Sequence, residues 1–434
     1  MMYSRPTPLQ TMADGTIKQV NPFSGTEVWT VPGRGNRPLN TPVENVYQLS
    51  EIDFHETCAF CDHRLAETTP EKSRITTNGD IKYHLLCEEQ DDNYAFRRVG
   101  NLFEIVTFDY WQKNYDFIMS QSTIDWMRAY LATDSGRQHV LDRVRAKLAA
   151  AQQPTNRSDA ELLELGEAFF GGGHDVIIAH RHFRDGALTN EQRAGSGDLS
   201  IAEHRHFMKF TVDSLRDLYQ HNRYALYVAV FQNWLRPAGA SFDHLHKQLV
   251  TIDDRGTHIQ QELSKLRRNP NMYNEWAVDY AARRNLIIAE NEHAVCFAGF
   301  GHRYPTLEVF SKSATSEPWL HSDAERNSMS DLLHAAHAAT GSDVPSNEEW
   351  HHKPIDVDMP MPWRIMVKWR VSNLAGFEGG TKIYLNTLSP WDIRDRVVDR
   401  LFSLRKEGRI DPSIRIATET SVERNSLRYN PWLD

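Results

Sequence analysis

The ten residues GASFDHLHKQ, at positions 239–248, are the most informative stretch of the chain. If they form a β-strand, alternate side chains share a face, so His244, His246 and Gln248 point the same way into one site. The small residues before the histidines predict a turn whose backbone N–H groups can approach an anion closely. The chain contains 20 histidines, so an H-x-H pair also arises by chance. The glutamine and the turn favour a functional site over an incidental pair.

A second group of potential ligands is the pair Cys58 and Cys61. Four cysteines in 434 residues do not make a disulfide scaffold, so we expect a reducing, cytoplasmic location. There a C-x-x-C pair is either redox-active or a metal clip, and no βαβ pattern supports the redox interpretation. A clip needs two more ligands, which histidines of residues 174–182 and 244–246 can supply. The alternative is a pair of buried structural thiols.

Composition excludes several classes of protein. Hydrophobic residues make up 40% and charged residues 25%, so wholesale disorder is not expected. The formal net charge of −9 argues against a nucleic-acid-coating protein. No apolar run approaches about 18 residues, so no membrane span is expected, and the first residues do not resemble a secretory signal. P-loop, dinucleotide-binding, zinc-protease and serine-hydrolase patterns do not occur.

The order of predicted elements, strands followed by a helix and further strands, occurs twice along the chain. We therefore predict an α+β protein of two similar halves, each a mainly antiparallel sheet with packed helices. Residues 1–255 form the first half, with a helical insertion at 119–166, and residues 256–434 form the second. Predicted strands lie at 174–179, 224–231, 244–251, 285–290, 294–300, 306–311 and 363–371; predicted helices lie at 119–166, 200–219, 257–284, 323–339 and 389–406.

Together, the cysteine pair, a later strand ending in histidine, and the pattern G-x-S-x-x-H-x-H-x-Q resemble the galactose-1-phosphate uridylyltransferase-like family of the histidine-triad superfamily. Further segments that resemble the family follow in order between about residues 20 and 390. They are NPFSGTEVW at 21–29, PGRGNRP at 32–38, NLF at 101–103, VFQN at 230–233, NEH at 291–293 and AGFEGGT at 375–381. The resemblance implies two histidine-triad-like halves and a homodimer.

The resemblance also implies a reaction. His246 corresponds to the nucleophile, which attacks the α-phosphorus of a nucleoside diphosphate-sugar, such as a UDP-sugar, and forms a nucleotidyl-histidine. Gln248 corresponds to the glutamine that hydrogen-bonds the phosphate oxygens. The implied function is a nucleotidyltransferase with a sugar 1-phosphate as second substrate. The alternatives are a phosphorylase that uses inorganic phosphate and a non-catalytic nucleotide-binding protein.

Further substrate-binding residues are implied by position in the family pattern. Arg34 and Arg37 would supply charge-assisted phosphate contacts, although a Pro/Gly-rich basic turn is often simply solvated. Glu378 has the alternative of capping a turn. The remaining implied contacts are Asn101, Asn233, Gly239, Ala240, Ser241 and Phe377.

For the metal, the resemblance implies one structural zinc per chain held by Cys58, Cys61, His244 and a histidine after the 174–179 strand. The family has P-D-H at that point and this chain has His180-Arg181-His182, of which we favour His182. Four protein ligands close a tetrahedral site, so the zinc is expected to be structural.

Some members bind a second metal through two histidines in the C-terminal half. Met366 and Lys368 occupy the matching positions here, so no second metal is expected.

Three further expectations concern the residue between the two histidines, Lys247 and four histidines on predicted helices. The H-L-H order, in place of H-P-H, looks more like the GDP-hexose phosphorylase relatives. Lys247 alternates to the strand face opposite the two histidines. His204, His206, His334 and His337 lie on predicted helices and are expected at the surface, without a functional role.

Overall fold

The computed structural model describes residues 7–33, 39, 42–43, 45–89, 91, 93–370 and 375–433. Arg34 and Arg37 lie outside these residues, so their phosphate contacts stay a prediction. Among the described residues, no helix combines the length and the apolar character needed to cross a membrane.

The strands form a small sheet of order β1-β2-β3-β15 and a 12-stranded sheet of order β16-β10-β11-β12-β14-β13-β8-β9-β7-β6-β4-β5. Their bounds are β1 (Leu9–Thr11), β2 (Ile17–Val20), β3 (Glu27–Thr30), β4 (Glu71–Ile75), β5 (Ile81–Tyr83), β6 (Phe96–Gly100), β7 (His174–Ala179), β8 (Tyr227–Trp234), β9 (His246–Ile252), β10 (Ile287–Glu290), β11 (Ala294–Ala298), β12 (Thr306–Ser311), β13 (Ser346–His351), β14 (Arg364–Trp369), β15 (Ile383–Asn386) and β16 (Arg415–Ile416). All pairs in the large sheet are antiparallel, whereas β15 runs parallel to β3.

The large sheet repeats one strand order on both sides of its centre. From the central pair outward, the order is β8-β9-β7-β6-β4 on one side and β13-β14-β12-β11-β10 on the other. The central strands pair through Asn233 opposite Asn347, among other residues. The α+β prediction is confirmed, and the two predicted halves share one continuous sheet because β8 and β13 satisfy each other's edge hydrogen bonds. The division at residues 255 and 256 stays a prediction.

The α-helices connect and cover these strands. Their bounds are α1 (Glu51–Glu56), α2 (Phe108–Tyr115), α3 (Gln121–Ala132), α4 (Asp134–Ala150), α5 (Asp159–Gly166), α6 (Ala168–Gly171), α7 (Ile201–His221), α8 (Gly256–Leu266), α9 (Asp279–Arg283), α10 (Asp323–Thr340), α11 (Gly376–Thr381) and α12 (Pro390–Lys406). Helices α3 to α5 make up the predicted insertion. The single helix predicted at 257–284 is interrupted after Leu266, because Pro270 has no N–H and disfavours helical backbone at Asn269.

Helices α7 and α10 pack against each other and against one face of the large sheet. Phe207 of α7 and Leu333 of α10 are fully buried there. Lys247 points to this face, as predicted: its Nζ lies 2.7 Å from an Oε atom of Glu348 and 4.3 Å from the centre of the Phe207 ring. His246, its neighbour on β9, therefore belongs to the opposite face.

The expectation of surface histidines on the two helices is wrong for three of the four. His204 and His334 are 1% exposed, and His337 is also buried. Nδ1 of His204 lies 2.7 Å from Ser330 Oγ, Nε2 of His334 lies 2.8 Å from the Leu199 carbonyl, and Nε2 of His337 lies 2.8 Å from Glu348 Oε2. Because α10 is packed between α7, α12 and the sheet, these rings meet polar groups inside the core. His206 alone is partly exposed.

Candidate functional site

Four predicted ligands converge at one end of β7 and β9. The sulfur atoms of Cys58 and Cys61 lie 3.9 Å apart. Nδ1 of His182 lies 3.5 and 3.4 Å from these sulfurs, and Nδ1 of His244 lies 3.6 and 3.8 Å from them. These four residues form a cluster that can hold one metal ion.

The spacing of this cluster fits a tetrahedral ion. Zinc–sulfur and zinc–nitrogen bonds of ordinary length place two sulfurs roughly 3.8 Å apart and a sulfur and a nitrogen roughly 3.6 Å apart. His244 Nε2 lies 2.7 Å from the carbonyl oxygen of Ala179, which fixes the ring so that Nδ1 faces the cysteines. A hydrogen bond from Cys58 and contacts with the two histidines lower the pKa of the Cys61 thiol, so a thiolate is available to a cation.

His180 and His182 were the two candidates for the fourth ligand, and the cluster contains His182. The Nε2 atom of His180 instead lies 3.7 Å from a carboxylate oxygen of Asp62. The Phe183 ring stacks on His182, with ring centres 4.4 Å apart, and holds it in place.

His246 lies beside the metal-ligand cluster and is the first residue of β9. Its Nδ1 is 2.7 Å from the carbonyl oxygen of His244, so Nδ1 carries the proton and its N–H donates a hydrogen bond to that oxygen. The described residues place no hydrogen-bond donor on Nε2, whose lone pair is left for an electrophile. Burial lowers the pKa of His246 to about 4, which keeps the imidazole neutral. The ring is 4% exposed and is bordered by Phe60, 5.3 Å between ring centres.

Gln248 shares the His246 face of β9 and is held by a residue that the sequence did not single out. Its Oε1 lies 2.9 Å from Nε2 of His174 on β7. The backbone N–H of Ile105 donates to His174 Nδ1 at 3.0 Å, so in the neutral ring Nε2 carries the proton. Burial lowers the pKa of His174, which favours this neutral form. His174 therefore donates to Gln248 Oε1 and turns the glutamine N–H₂ group away from β7, free to donate to a ligand.

Replacing His174 by alanine is expected to lower the turnover of the nucleoside diphosphate-sugar that the resemblance implies as substrate roughly tenfold. The reason is that the Gln248 amide loses the hydrogen bond that orients it. In the background of Gln248→Ala, the same replacement is expected to cost little more, since the two side chains act as a pair. Steady-state kinetics of the two single variants and the double variant measure this coupling. Additive losses of turnover in the double variant would contradict the positioning role. The same holds if His174→Gln, whose side chain keeps an N–H donor, is no more active than His174→Ala.

The turn before β9 was expected to offer backbone N–H groups to an anion, and two of these N–H groups are already bonded within the turn. Gly239 has φ of +92°, which a residue with a side chain adopts only with strain. The N–H groups of Gly239 and Ala240 donate to the carbonyls of Arg236 and Leu235, so neither is free for an anion. Ser241 is exposed at the end of the turn, and no described residue takes up its hydroxyl or its N–H.

Asn233, at the end of β8, is tied to this turn through Asn347 of β13. The Asn347 Nδ2 group lies 2.7 Å from Asn233 Oδ1 and 2.8 Å from the carbonyl of Ala238. Asn101, the last of the predicted contacts near β7, lies beside His174; its Nδ2 is 3.1 Å from the ring Nε2, a contact between two donors in the tautomer assigned above and not a hydrogen bond. The structure therefore gathers His246, Gln248, Asn101 and the turn on one side of the sheet.

Phe377 and Glu378 lie elsewhere, on α11 beside the small sheet. The Phe377 ring centre is 6.5 Å from that of Trp29, and Glu378 accepts a hydrogen bond from the Ala375 N–H at 3.2 Å. Among the described residues, no hydrogen bond or ring contact joins either of them to His246 or Gln248. Glu378 thus makes the capping contact that was its alternative role.

Known proteins resemble this chain over most of its length. ADP-glucose phosphorylase of Arabidopsis thaliana is 25% identical over 378 residues, which cover 85% of this chain and 89% of that protein. A crystal structure of an ADP-glucose phosphorylase from the same organism, with bound ADP-glucose, gives a TM-score of 0.58 at 19% identity, covering 88% of this chain and 98% of the other. An X-ray structure of a GalT-like protein of A. thaliana gives 0.55 at 19% identity, with the same coverage.

A family model described as "Domain of unknown function (DUF4921)" matches residues 12–429. This match spans nearly the whole chain, and the resemblance inferred from the histidine and cysteine patterns is confirmed by the relatives above. The protein belongs to the DUF4921 family and is similar over most of its length to an ADP-glucose phosphorylase and to a GalT-like protein.

Proposed function

We propose that the protein is a nucleotidyltransferase that splits a nucleoside diphosphate-sugar through a covalent intermediate on His246. One observation carries this proposal: the Nδ1 proton of His246 is held by the His244 carbonyl, so Nε2 faces the site together with Gln248. An imidazole fixed in this tautomer is a nucleophile that needs no deprotonation before attack.

The proposed reaction has two steps. In the first, Nε2 of His246 forms a bond to the α-phosphorus, and the bond from that phosphorus to the bridging diphosphate oxygen breaks, which releases a sugar 1-phosphate. In the second, an oxygen of the acceptor forms a bond to the same phosphorus and the N–P bond breaks, which restores neutral His246.

The surrounding side chains stabilise charge on the phosphorus oxygens. Gln248 donates its amide N–H to a non-bridging oxygen, and Ser241 supplies a hydroxyl at the edge of the site. We propose Arg34 and Arg37 as cationic phosphate ligands, with Asn233 and Asn101 on the nucleotide side. Phe377 and Glu378 are proposed as substrate contacts only in an assembly that brings α11 to this face, such as a homodimer.

We propose that the cysteine–histidine cluster holds one zinc ion with a structural role. Two thiolates and two imidazoles are ligands that zinc prefers, and four protein ligands leave no position for substrate. The ion would hold the 58–61 segment, and with it Phe60, against the edge of the His246 ring. No step of the proposed reaction passes through the metal.

For the acceptor, we propose inorganic phosphate. The resemblance noted in the sequence favours a sugar 1-phosphate and leaves a phosphorylase as the alternative. The relative that aligns with 85% of this chain is an ADP-glucose phosphorylase, which supports the alternative. ADP-glucose is accordingly the first donor to try, and the cytoplasmic location and homodimer stay predictions.

The acceptor can be tested on the isolated intermediate. After incubation with ADP-glucose and removal of small molecules, the adenylyl-protein is offered inorganic phosphate, glucose 1-phosphate, galactose 1-phosphate or buffer alone. We expect phosphate to discharge the adduct to ADP at least roughly tenfold faster than galactose 1-phosphate or buffer does, whereas glucose 1-phosphate, the leaving group of the first step, returns ADP-glucose by reversal of that step. Intact-protein mass and product chromatography measure both.

Each other outcome assigns a different reaction. Faster discharge by galactose 1-phosphate than by phosphate makes the protein a transferase between two sugars, and discharge by buffer alone makes it a hydrolase. If no donor in a panel with different bases leaves a nucleotidyl mass on the protein, the covalent mechanism itself is wrong.

A further inference from the structure

A cavity of about 390 Å³ lies in the second half of the large sheet, beside β13 and β14. This volume falls in the range of small-molecule sites, roughly 300–1,000 Å³. Its lining carries four cationic side chains: Arg303, Arg364, Lys368 and Arg370. Of the described residues that line it, two are carboxylates, so with neutral histidines this lining has an excess of two positive charges.

The two carboxylates are already committed to two of the cations. Glu262 pairs with Arg364, with 2.6 Å between Oε1 and Nη2, and Glu349 pairs with Lys368. Among the described residues, no ion pair uses Arg303 or Arg370. Two guanidinium groups in one cavity thus lack a counter-charge within the part of the chain that the structure describes.

Both arginines lie against the same aromatic ring, that of Tyr304. The guanidinium carbons of Arg303 and Arg370 lie 4.9 and 4.7 Å from the centre of the Tyr304 ring. Two like charges beside one ring repel each other. An anion placed between them would remove that cost and accept hydrogen bonds from both.

Buried donors around the cavity also lack acceptors. Arg364 is 1% exposed and Tyr304 is 7% exposed. Neither the Nε and Nη1 atoms of Arg364 nor the hydroxyl of Tyr304 has a hydrogen-bond partner among the described residues, and the same holds for Nε of Arg303 and of Arg370. Buried donors are normally satisfied, so a set of unsatisfied donors around one cavity indicates a ligand rich in acceptor oxygens.

The cavity lies on the same face of the sheet as the His246 site and extends to Asn347, which contacts Asn233. Successive Cα pairings place Gln248, Phe231, Glu349 and Met366 on that face. β14 lies three strands from β9, roughly 14 Å away. In the repeated strand order, β14 occupies the place that β9 has in the first half. The second half therefore presents a basic cavity where the first half presents His246 and Gln248.

We propose that this cavity is a second, non-catalytic site for a phosphate-bearing small molecule, whose phosphate group binds between Arg303 and Arg370 with the Tyr304 hydroxyl as a further donor. The two positive charges of Arg303 and Arg370, which no described carboxylate compensates, favour a dianion. The space beyond the phosphate admits an organic group beside the aromatic ring. The proposed site recognises a phosphate group, which both inorganic phosphate and phosphomonoesters carry.

Titration calorimetry with inorganic phosphate, glucose 1-phosphate and AMP tests the site and identifies which source binds best. Arg303→Gln is expected to weaken binding of the preferred ligand roughly tenfold, since it removes one charge-assisted contact. Tyr304→Phe keeps the ring and is expected to weaken binding roughly threefold to tenfold. Arg400→Gln, an equal loss of charge at an exposed position of α12, is expected to change nothing.

Gln248→Ala separates this site from the catalytic one. Binding that survives Gln248→Ala and is weakened by Arg303→Gln and Tyr304→Phe supports the second site. Binding that is lost in Gln248→Ala and unchanged in both cavity variants overturns it, as does equal weakening by Arg400→Gln. Melting curves check that each variant is folded, and Tyr304→Phe keeps the test decisive if Arg303→Gln does not fold.

Discussion

Substitution of His246 by alanine is expected to lower turnover of a nucleoside diphosphate-sugar by roughly 10⁴-fold or more, because it removes the atom to which phosphorus is transferred. No described side chain on the same face can take its place: Gln248 has an amide, and the His174 ring is committed to Gln248 and to the Ile105 N–H. Initial rates and intact-protein mass measure the effect. The nucleotidyl adduct formed by the wild-type protein is expected to be absent.

The substitution is expected to leave the fold intact. The metal-ligand cluster does not include His246. Among the described residues, the His246 side chain makes one hydrogen bond, which is to a backbone carbonyl. His293→Ala, a change of the same kind in the loop between β10 and β11, serves as the matched control and should keep full activity. Turnover above about one per cent in a purified and folded His246→Ala protein would falsify the covalent-histidine mechanism.

Cys61→Ser is expected to lower the free energy of unfolding by on the order of 3–5 kcal/mol, since losing a ligand releases the bound metal and its contribution to folding. Elemental analysis should find about one zinc per wild-type chain and much less in the variant. Chemical denaturation measures the stability. Because Phe60 lies between the two cysteines and packs against His246, activity should fall with the metal.

Cys87→Ser is the matched control, since it makes the same atomic change outside the cluster. It should keep both the zinc and most of the stability. If wild-type protein binds no metal at full stability, or if Cys61→Ser retains one zinc per chain, the cluster is not a structural metal site.

The features of the site that depend on local spacing were predictable. The two-residue interval between His246 and Gln248 places both on one strand face, and β9 contains both. The C-x-x-C spacing brings Cys58 and Cys61 to 3.9 Å. The Ser389-Pro390 start of α12 and the strands β10, β11 and β12 were predicted close to their observed bounds, because capping chemistry and apolar runs are local signals.

Strands with buried charges could not be recognised in the same way. β6 contains Arg97 and Arg98, yet all five of its residues are buried. Arg98 is tolerated there because a nitrogen of its guanidinium lies 2.6 Å from a carboxylate oxygen of Asp175 on β7. Since the compensating charge is 77 residues away, no local pattern reveals it.

The sequence by itself determined the α+β class, the strand that carries His246 and Gln248, the cysteine pair and the family resemblance. Only the tertiary structure decided that His182 joins the metal-ligand cluster, that His174 orients Gln248 and that two arginines without a carboxylate partner among the described residues line one cavity of the second half. The reason is physical: spacing along a chain controls which side chains share a face, whereas contacts such as His174 to Gln248, 74 residues apart, depend on the pairing register of strands.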